Sequence, residues 1–276
     1  MASLTTGLYN VALGTNSLNA LTSGGSNIGI GKDALSSTTT ATNNIGVGVS
    51  TLKLNTTGVN NVAIGVEALA TNTTGVSNTA IGYRCLFVNA TGSYNTAIGG
   101  SALGANTTGS GNMALGTSAL MANTIGSNNV AIGGSALTAS TSGNTNTCIG
   151  TFAGNGVTTG SNNVLIGVAA GTSITTGGSN VCVGPSASVA NASNQLAIAN
   201  GNTKSLIIGD FANNNVALGN TSVSGPGWGS GQNVLSLTTS TLAPTVAIAE
   251  GIGLFTQGGL LKFIGPDGVV KTVTTT

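Results

Sequence analysis

Residues 57–82 read TGVNNVAIGVEALATNTTGVSNTAIG, in which NVAIG is followed 17 residues later by NTAIG. The same step separates eleven Asn residues along the chain without an exception. A repeat of this length is too short for a pair of helices and is typical of a solenoid in which each repeat forms one coil. The Asn residues are Asn10, Asn27, Asn44, Asn61, Asn78, Asn95, Asn112, Asn129, Asn146, Asn163 and Asn180.

Glycines recur in the same register. A Gly stands four residues after each of these Asn residues, and a second Gly stands three residues before all but one, the exception being Ala41. Gly takes positive φ at no steric cost and leaves space for a neighbouring backbone, so both positions predict turns or close approaches between coils. The turn glycines are Gly14, Gly31, Gly48, Gly65, Gly82, Gly99, Gly116, Gly133, Gly150, Gly167 and Gly184.

The composition supports a packed fold with little charge. The chain has 276 residues, of which 45 are Gly, six are basic, five are acidic and none is His. Disordered chains combine low hydrophobicity with high net charge, whereas this chain is 40% hydrophobic with a net charge of +1. The sequence has no basic cluster and no apolar run long enough for a membrane span. We therefore predict neither a nucleic-acid partner nor membrane insertion.

The repeat predicts an all-β fold, a parallel β-solenoid in which each strand pairs with the same strand of the neighbouring coils. At about 4.8 Å per coil, the regular part would be a rod of roughly 50 Å. Three regions are expected: regular coils in residues 1–190, irregular closing coils in residues 191–223, and a Gly-rich joint with a small β module in residues 224–276. Two β-rich runs around Gly265-Pro266-Asp267-Gly268 predict a C-terminal hairpin.

Alternation along the strand predicts which residues point inward. The third residue after each Asn is Ile, Leu or Val, as at Ile64 and Ile81, and is predicted to form a buried core ladder. The residue before it points the other way and is mostly small and apolar, although a position facing solvent should be polar. A second chain packed on this ladder would explain the difference, so we predict an oligomer. The subunit-interface candidates are Ala63, Ala80, Ala97, Ala114 and Ala131.

The recurring polar residues have more than one interpretation. The Asn amides either hydrogen-bond from coil to coil or bind a sugar, and the first is favoured because a sugar site has no need of Asn in every coil. Thr pairs such as Thr56-Thr57 suggest ice binding, which is disfavoured because adjacent side chains point apart. Asn55 and Asn72 match the glycosylation pattern, but they arise from the repeat itself.

Few residues offer catalytic or metal-binding chemistry. Cys85, Cys148 and Cys182 stand at small-residue positions of the repeat and lack metal-ligand spacing, so no metal or other cofactor is predicted. His is absent and no two carboxylates form a recognisable pair, so we predict that the protein is not an enzyme. An alternative stays open, in which Asp33 and Glu67 contribute to a polysaccharide hydrolase whose acids are shared between subunits.

Specificity is expected at positions that the repeat leaves variable. Two such pairs are Val66-Glu67 and Tyr83-Arg84, which occupy the same place in successive coils. The candidate surface-recognition residues are Glu67, Tyr83 and Arg84.

The phrases NVAIG and NTAIG, with the following AL and NTTG, resemble the repeats of trimeric bacteriophage tail-fibre and related virion fibre proteins. More distantly they resemble the left-handed β-roll heads of trimeric autotransporter adhesins. The resemblance covers about residues 7–190, and the ending LLKFIGPDGVVKTV is similar to C-terminal segments of phage structural proteins. It implies a parallel homotrimer with left-handed coils that serves attachment and host recognition without catalysis.

The expected function is therefore that of a non-enzymatic fibre protein on a virion. Its partners would be other virion proteins and a glycan or protein of the host cell surface. The coil is longer than is usual in adhesin heads, and residues 191–276 do not resemble the stalk and membrane anchor expected of an adhesin, so the phage is the expected source. A cell-surface trimeric adhesin, located on the extracellular surface, remains the alternative, as does the hydrolase.

Overall fold

The computed structural model describes residues 5–201, 205–212, 215–218, 235–237, 253–257, 260–264 and 270–272. Every helix or strand assigned in this part of the chain is a β-strand. No helix long and apolar enough to cross a membrane occurs among these residues.

Eleven strands of three residues recur every 17 residues and belong to one continuous sheet. Each pairs in parallel with the next in constant register, so that Val62 lies opposite Thr79 and Ile64 opposite Ile81. The structure thus confirms a parallel β-solenoid of about 11 coils. The strands are β1 (Val11–Leu13), β2 (Ile28–Ile30), β3 (Ile45–Val47), β4 (Val62–Ile64), β5 (Thr79–Ile81), β6 (Thr96–Ile98), β7 (Met113–Leu115), β8 (Val130–Ile132), β9 (Thr147–Ile149), β10 (Val164–Ile166) and β11 (Val181–Val183).

The regular stack ends in a different arrangement from the one predicted. β12 (Gln195–Ala199) still pairs in parallel with β11, but each residue lies 15 places after its partner. β13 (Ser205–Asp210) then pairs antiparallel with β12 and with β14 (Asn215–Leu218). The closing coils predicted for residues 191–223 are therefore partly replaced by an antiparallel meander, because the short connection after β12 cannot form a parallel crossover.

The remaining described strands follow the meander in sequence. β15 (Leu235–Leu237) pairs in parallel with β14. A second, antiparallel sheet contains β16 (Gly253–Gln257), β17 (Leu260–Ile264) and β18 (Val270–Thr272). β17 and β18 are the two runs that flank the predicted hairpin turn. The turn and the Gly-rich joint around Trp228 lie outside the described residues, so both stay predictions.

Five side chains of a typical coil fill a narrow interior. In the sixth coil they are Asn95, Ala97, Ala102, Leu103 and Asn106, and all five are fully buried. Leu is the one large apolar side chain in this set. We call its repeats the Leu file: Leu18, Leu35, Leu52, Leu69, Leu86, Leu103, Leu120 and Leu137.

The structure reverses the predicted faces of the strand. Ala97 lies in the core with no exposed surface, whereas the neighbouring Ile98 is 39% exposed. A Cβ at Gly46, which holds the same place as Ala97, would lie 3.4 Å from the Leu35 side chain. The Leu file thus occupies the interior and leaves room for little more than a methyl group on the strand. The subunit-interface candidates were assigned wrongly and line the core: Ala63, Ala80, Ala97, Ala114 and Ala131.

Residues with positive φ turn the chain several times in each coil. In the fourth coil they are Asn60 (60°), Gly65 (130°), Glu67 (57°) and Leu69 (52°). A left-handed conformation costs an L-residue other than Gly about 1–2 kcal/mol. A Cβ at Gly65 would also lie 2.6 Å from the carbonyl oxygen of Gly82, so only Gly fits there. All eleven turn glycines have φ between 117° and 136°.

The Asn that opens each coil joins it to the coils on both sides. Nδ2 of Asn129 donates to Oδ1 of Asn112 (3.1 Å) and to the carbonyl oxygen of Gly143 (2.8 Å). Its Oδ1 accepts from the backbone N–H (2.9 Å) and Nδ2 (3.1 Å) of Asn146. We call this series, from Asn10 to Asn180, the first Asn file; after Asn10 its members are at most 1% exposed.

A second Asn file, not recognised from the sequence, runs through the interior. Nδ2 of Asn72 donates to Oδ1 of Asn55 (2.8 Å) and to the carbonyl oxygen of Gly75 (3.0 Å). Asn55 and Asn72 are the residues that match the glycosylation pattern, and their full burial excludes glycan attachment in the folded chain. The file comprises Asn55, Asn72, Asn89, Asn106 and Asn123.

We expect Asn129→Asp to destabilise the fold by about 3 kcal/mol or more at neutral pH, because it removes two donors and buries a charge. Burial raises the pKa of a carboxyl group above about 3.9, so the deficit should shrink as the pH falls toward about 4. Chemical denaturation followed by circular dichroism measures the change. The adjacent, exposed Asn128 offers a matched control, since Asn128→Asp should be nearly neutral. Equal effects of the two changes would contradict the role of the file.

In the coils that follow the end of the Leu file, a different side chain fills the interior. Gly154 and Gly171 hold the Leu positions of two later coils, and Leu165 stands on the strand where earlier coils have Ala, Gly or Cys. A Cβ at Gly171 would lie 2.6 Å from both Cδ atoms of Leu165, and one at Gly154 would lie 2.9 Å from its Cδ1. Leu165 therefore fills from the strand the space that the Leu file fills from the other side.

This exchange predicts that substitutions at Leu165 and Gly171 partly compensate each other in their effect on the free energy of unfolding. Leu165→Ala should cost about 2–5 kcal/mol through a cavity, and Gly171→Leu about 1–3 kcal/mol through overpacking. The double variant restores the arrangement of earlier coils, and φ of 72° at Gly171 is close to the 47–53° of the Leu file. Its destabilisation in urea should be clearly less than the sum of the two. Additive losses would show that the side chains do not share one space.

Candidate functional site

The charged residues of the solenoid are confined to one region. All five that occur between residues 5 and 201 lie between residues 32 and 84, and residues 85–201 contain none. They occupy only the segment that follows the turn glycine in each coil, and therefore one side of the solenoid. They are Lys32, Asp33, Lys53, Glu67 and Arg84.

The constant register stacks several of these residues in one file. Asp33, Ser50, Glu67 and Arg84 hold the same place in four successive coils. Nε of Arg84 donates to Oε2 of Glu67 at 2.6 Å. This hydrogen bond, together with the attraction between the charges, raises the pKa of Arg84 above its ordinary value. The two side chains are 44% and 35% exposed, so the pair organises the surface more than it stabilises the fold.

Two aromatic rings surround the guanidinium group of Arg84. Its central carbon lies 4.5 Å from the ring centroid of Phe87 and 5.8 Å from that of Tyr83. Both distances allow a cation–π attraction, which together with the ion pair to Glu67 holds the Arg84 side chain in place. The cluster presents an aromatic, a cationic and an anionic group within two neighbouring coils.

A groove of about 250 Å³ adjoins this cluster. It exists because Lys53, Ala70 and Phe87 hold the same place in three successive coils, and the small middle residue leaves a gap between the larger outer two. Two coil spacings separate these outer residues along the solenoid, or about 10 Å. The groove is lined by Ser50, Lys53, Leu54, Glu67, Ala70, Thr71 and Phe87.

The structure brings the three candidate recognition residues together. Glu67 lines the groove, and Arg84 and Tyr83 lie beside it in the next coil. Sequence reasoning missed Lys53 and Phe87, although aligning the coils shows both at one place with Ala70 between them. Asp33 lies two coils from Glu67, and its Oδ1 accepts a hydrogen bond from Nδ2 of Asn16 (3.0 Å).

The other residues singled out from the sequence have structural roles within the solenoid. The first Asn file and the turn glycines join coil to coil, as described above, and the alanine candidates lie in the core. Among the described residues, no three His, Cys, Asp or Glu side chains are grouped so that they could hold a metal ion.

The three cysteines are free and buried. Burial raises the pKa of the Cys85 and Cys148 thiols to about 12 and that of Cys182 to about 11. Because the thiolate is the reactive form, these groups are poor nucleophiles in the folded chain.

We expect the native protein to react with Ellman's reagent at about pH 8 far more slowly than the protein unfolded in guanidinium chloride, where all three thiols should react. The absorbance of the released thiolate reports both rates. Rapid modification of the native protein would contradict the burial of these residues.

Searches of protein-family models, of curated proteins and of solved structures find no match to this chain.

Proposed function

We propose that the protein is a non-enzymatic structural fibre of a phage virion, in which three parallel copies form a rigid rod that contacts the host surface or other virion proteins. The observation that carries this proposal is an apolar strip along the outside of the sheet. We define the outer strip as the first and third residues of strands β1–β11. It contains no charged residue.

The strip exposes side chains that an isolated solenoid would leave in water. Leu13 is 65% exposed, Met113 41%, Ile64 40% and Ile98 39%. The strip extends over about 50 Å and is apolar except at Thr79, Thr96 and Thr147. A largely apolar, uncharged surface of this length is typical of a contact with another molecule. A covered outer strip also explains why none of its residues is charged.

A second copy of the same chain is the partner that fits the strip best. Parallel copies carry the same spacing between coils, so their strips can meet at every level along the rod. The number three and the left-handed coil come from the resemblance to trimeric virion fibres. The predicted oligomer is thus retained, but the residues proposed for its interface are those of the outer strip.

A cell-surface trimeric adhesin would use the same assembly and differ in where the fibre is anchored. The hydrolase alternative has one supporting observation, the carboxylate of Glu67 in the groove. That carboxylate is held by Arg84, and the acid on the same file, Asp33, is two coils away. Binding is therefore favoured over hydrolysis.

Native mass spectrometry tests the assembly, and we expect a trimer. Ile98→Glu should yield folded monomers, since Glu can reach solvent in an isolated chain but would be buried near its copies in the trimer. Thr108→Glu, at an exposed position away from the strip, should leave the trimer intact. Ala97→Glu should disrupt the fold itself, because Ala97 is in the core. A wild-type chain that stays monomeric would overturn the trimer.

A further inference from the structure

We propose that the groove lined by Lys53, Glu67 and Phe87 binds an acidic saccharide, that is, a sugar that carries a carboxylate group. The inference deepens the function proposed above and rests on it for its meaning as contact with a host surface. The binding chemistry itself requires only the geometry of residues 50–87.

The first argument is the charge in the groove. The Glu67 carboxylate is paired with Arg84, so this pair contributes little net charge. Within the described residues, the Lys53 ammonium group, which is exposed, makes no hydrogen bond or ion pair. An unpaired cation beside a neutralised pair favours an anionic group on the ligand.

The second argument is the division of the lining into apolar and polar parts. Phe87, Leu54 and Ala70 provide an apolar surface, while Ser50 and Lys53 provide hydroxyl and ammonium groups. The Thr71 hydroxyl donates to the carbonyl oxygen of Phe87 at 2.9 Å and so offers a ligand only an acceptor. A pyranose ring has the matching character, with C–H bonds on its face and hydroxyl groups around its rim. Apolar walls with a few polar groups that fix orientation are typical of small-ligand sites.

The third argument is that Arg84 fixes the half-buried Phe87 ring, while no large side chain of the neighbouring coils covers it. Arg84 contacts the Phe87 ring and is itself held by Glu67. In the next coil the place above Phe87 is taken by Gly104, and in the previous coil by Ala70, so neither neighbour covers the ring with a large side chain. A ring held in this way can receive a sugar face without first losing much conformational freedom.

The fourth argument is the location of these residues in the repeat. A structural role would not need charges in four consecutive coils and none in the coils that follow. The backbone below them is regular, since the N–H groups of Glu67 and Arg84 donate to the preceding coil at 2.9 Å and 3.1 Å. The solenoid therefore serves as a rigid frame on which these coils carry an additional function.

Binding is tested with the full chain in its native assembly, immobilised for biolayer interferometry. The probes are a hyaluronan hexasaccharide, a hexamer of α2,8-linked sialic acid and, as the neutral comparison, a dextran of similar length. We expect at least one acidic probe to bind, more weakly at high salt, and dextran to bind at least about tenfold more weakly.

Matched variants locate the site. Lys53→Gln and Phe87→Ala should each reduce binding about tenfold or more, whereas Lys32→Gln and Phe152→Ala change the same residue types outside the groove and should have no effect. Circular dichroism and native mass spectrometry verify that every variant keeps the fold and assembly of the wild type.

Two outcomes would overturn the inference. If neither acidic probe binds, or if dextran binds equally well, the proposed ligand class is wrong. If the control variants weaken binding as much as Lys53→Gln and Phe87→Ala, the site is not the groove. Native mass spectrometry measures the oligomeric state independently of binding. The proposed trimeric fibre would therefore still be supported if the groove bound no acidic saccharide. Shortening of an acidic probe during incubation would replace binding with hydrolysis and would also overturn it.

Discussion

The structure depends on the buried amide of one Asn per coil. Nδ2 of Asn78, for example, donates to Oδ1 of Asn61 and to the carbonyl oxygen of Gly92, and Oδ1 of Asn61 also accepts from the backbone N–H of Asn78. The same pattern recurs from Asn27 to Asn163, with the carbonyl of Ala41 in place of a Gly carbonyl for Asn27. In a narrow interior where these amides are fully buried, each of these groups would be costly to leave unpaired. The amides therefore favour the step of 17 residues, because inserting or deleting one residue in a coil would move its Asn out of register with the Asn of the next coil.

Because every coil is 17 residues long, equivalent side chains stack in straight files along the interior. The volume available to them in each coil is small. One Leu and several small residues fill most coils, and the exchange between Leu165 and Gly171 shows that the total volume is conserved where the individual positions are not. This explains why the buried strand residues are small. It also places Ile98 and its equivalents on the outside, since a large side chain on both sides of the interior would not fit.

The recurring residues set the register of the coils and fill the core. The residues on the outside can therefore vary from coil to coil. The outer strip is uncharged and apolar except at Thr79, Thr96 and Thr147, which suits the proposed contact between identical copies. The charged and aromatic residues lie elsewhere, on the segment after the turn glycine, where Ala70 opens a groove between Lys53 and Phe87. The surface proposed for assembly and the groove proposed for recognition thus lie on different segments of the coil.

The sequence by itself determined the period, the parallel pairing of coils and the need for Gly at the main turn. The reason is that a constant spacing places equivalent residues at the same position in every coil of a solenoid. It also marked Glu67, Tyr83 and Arg84 as departures from the repeat. Only the tertiary structure decided that Ala97 points inward and Ile98 outward. Alternation shows that two neighbours lie on opposite faces, but the side chains across the interior decide which face has room, and that depends on where Leu103 and its equivalents lie.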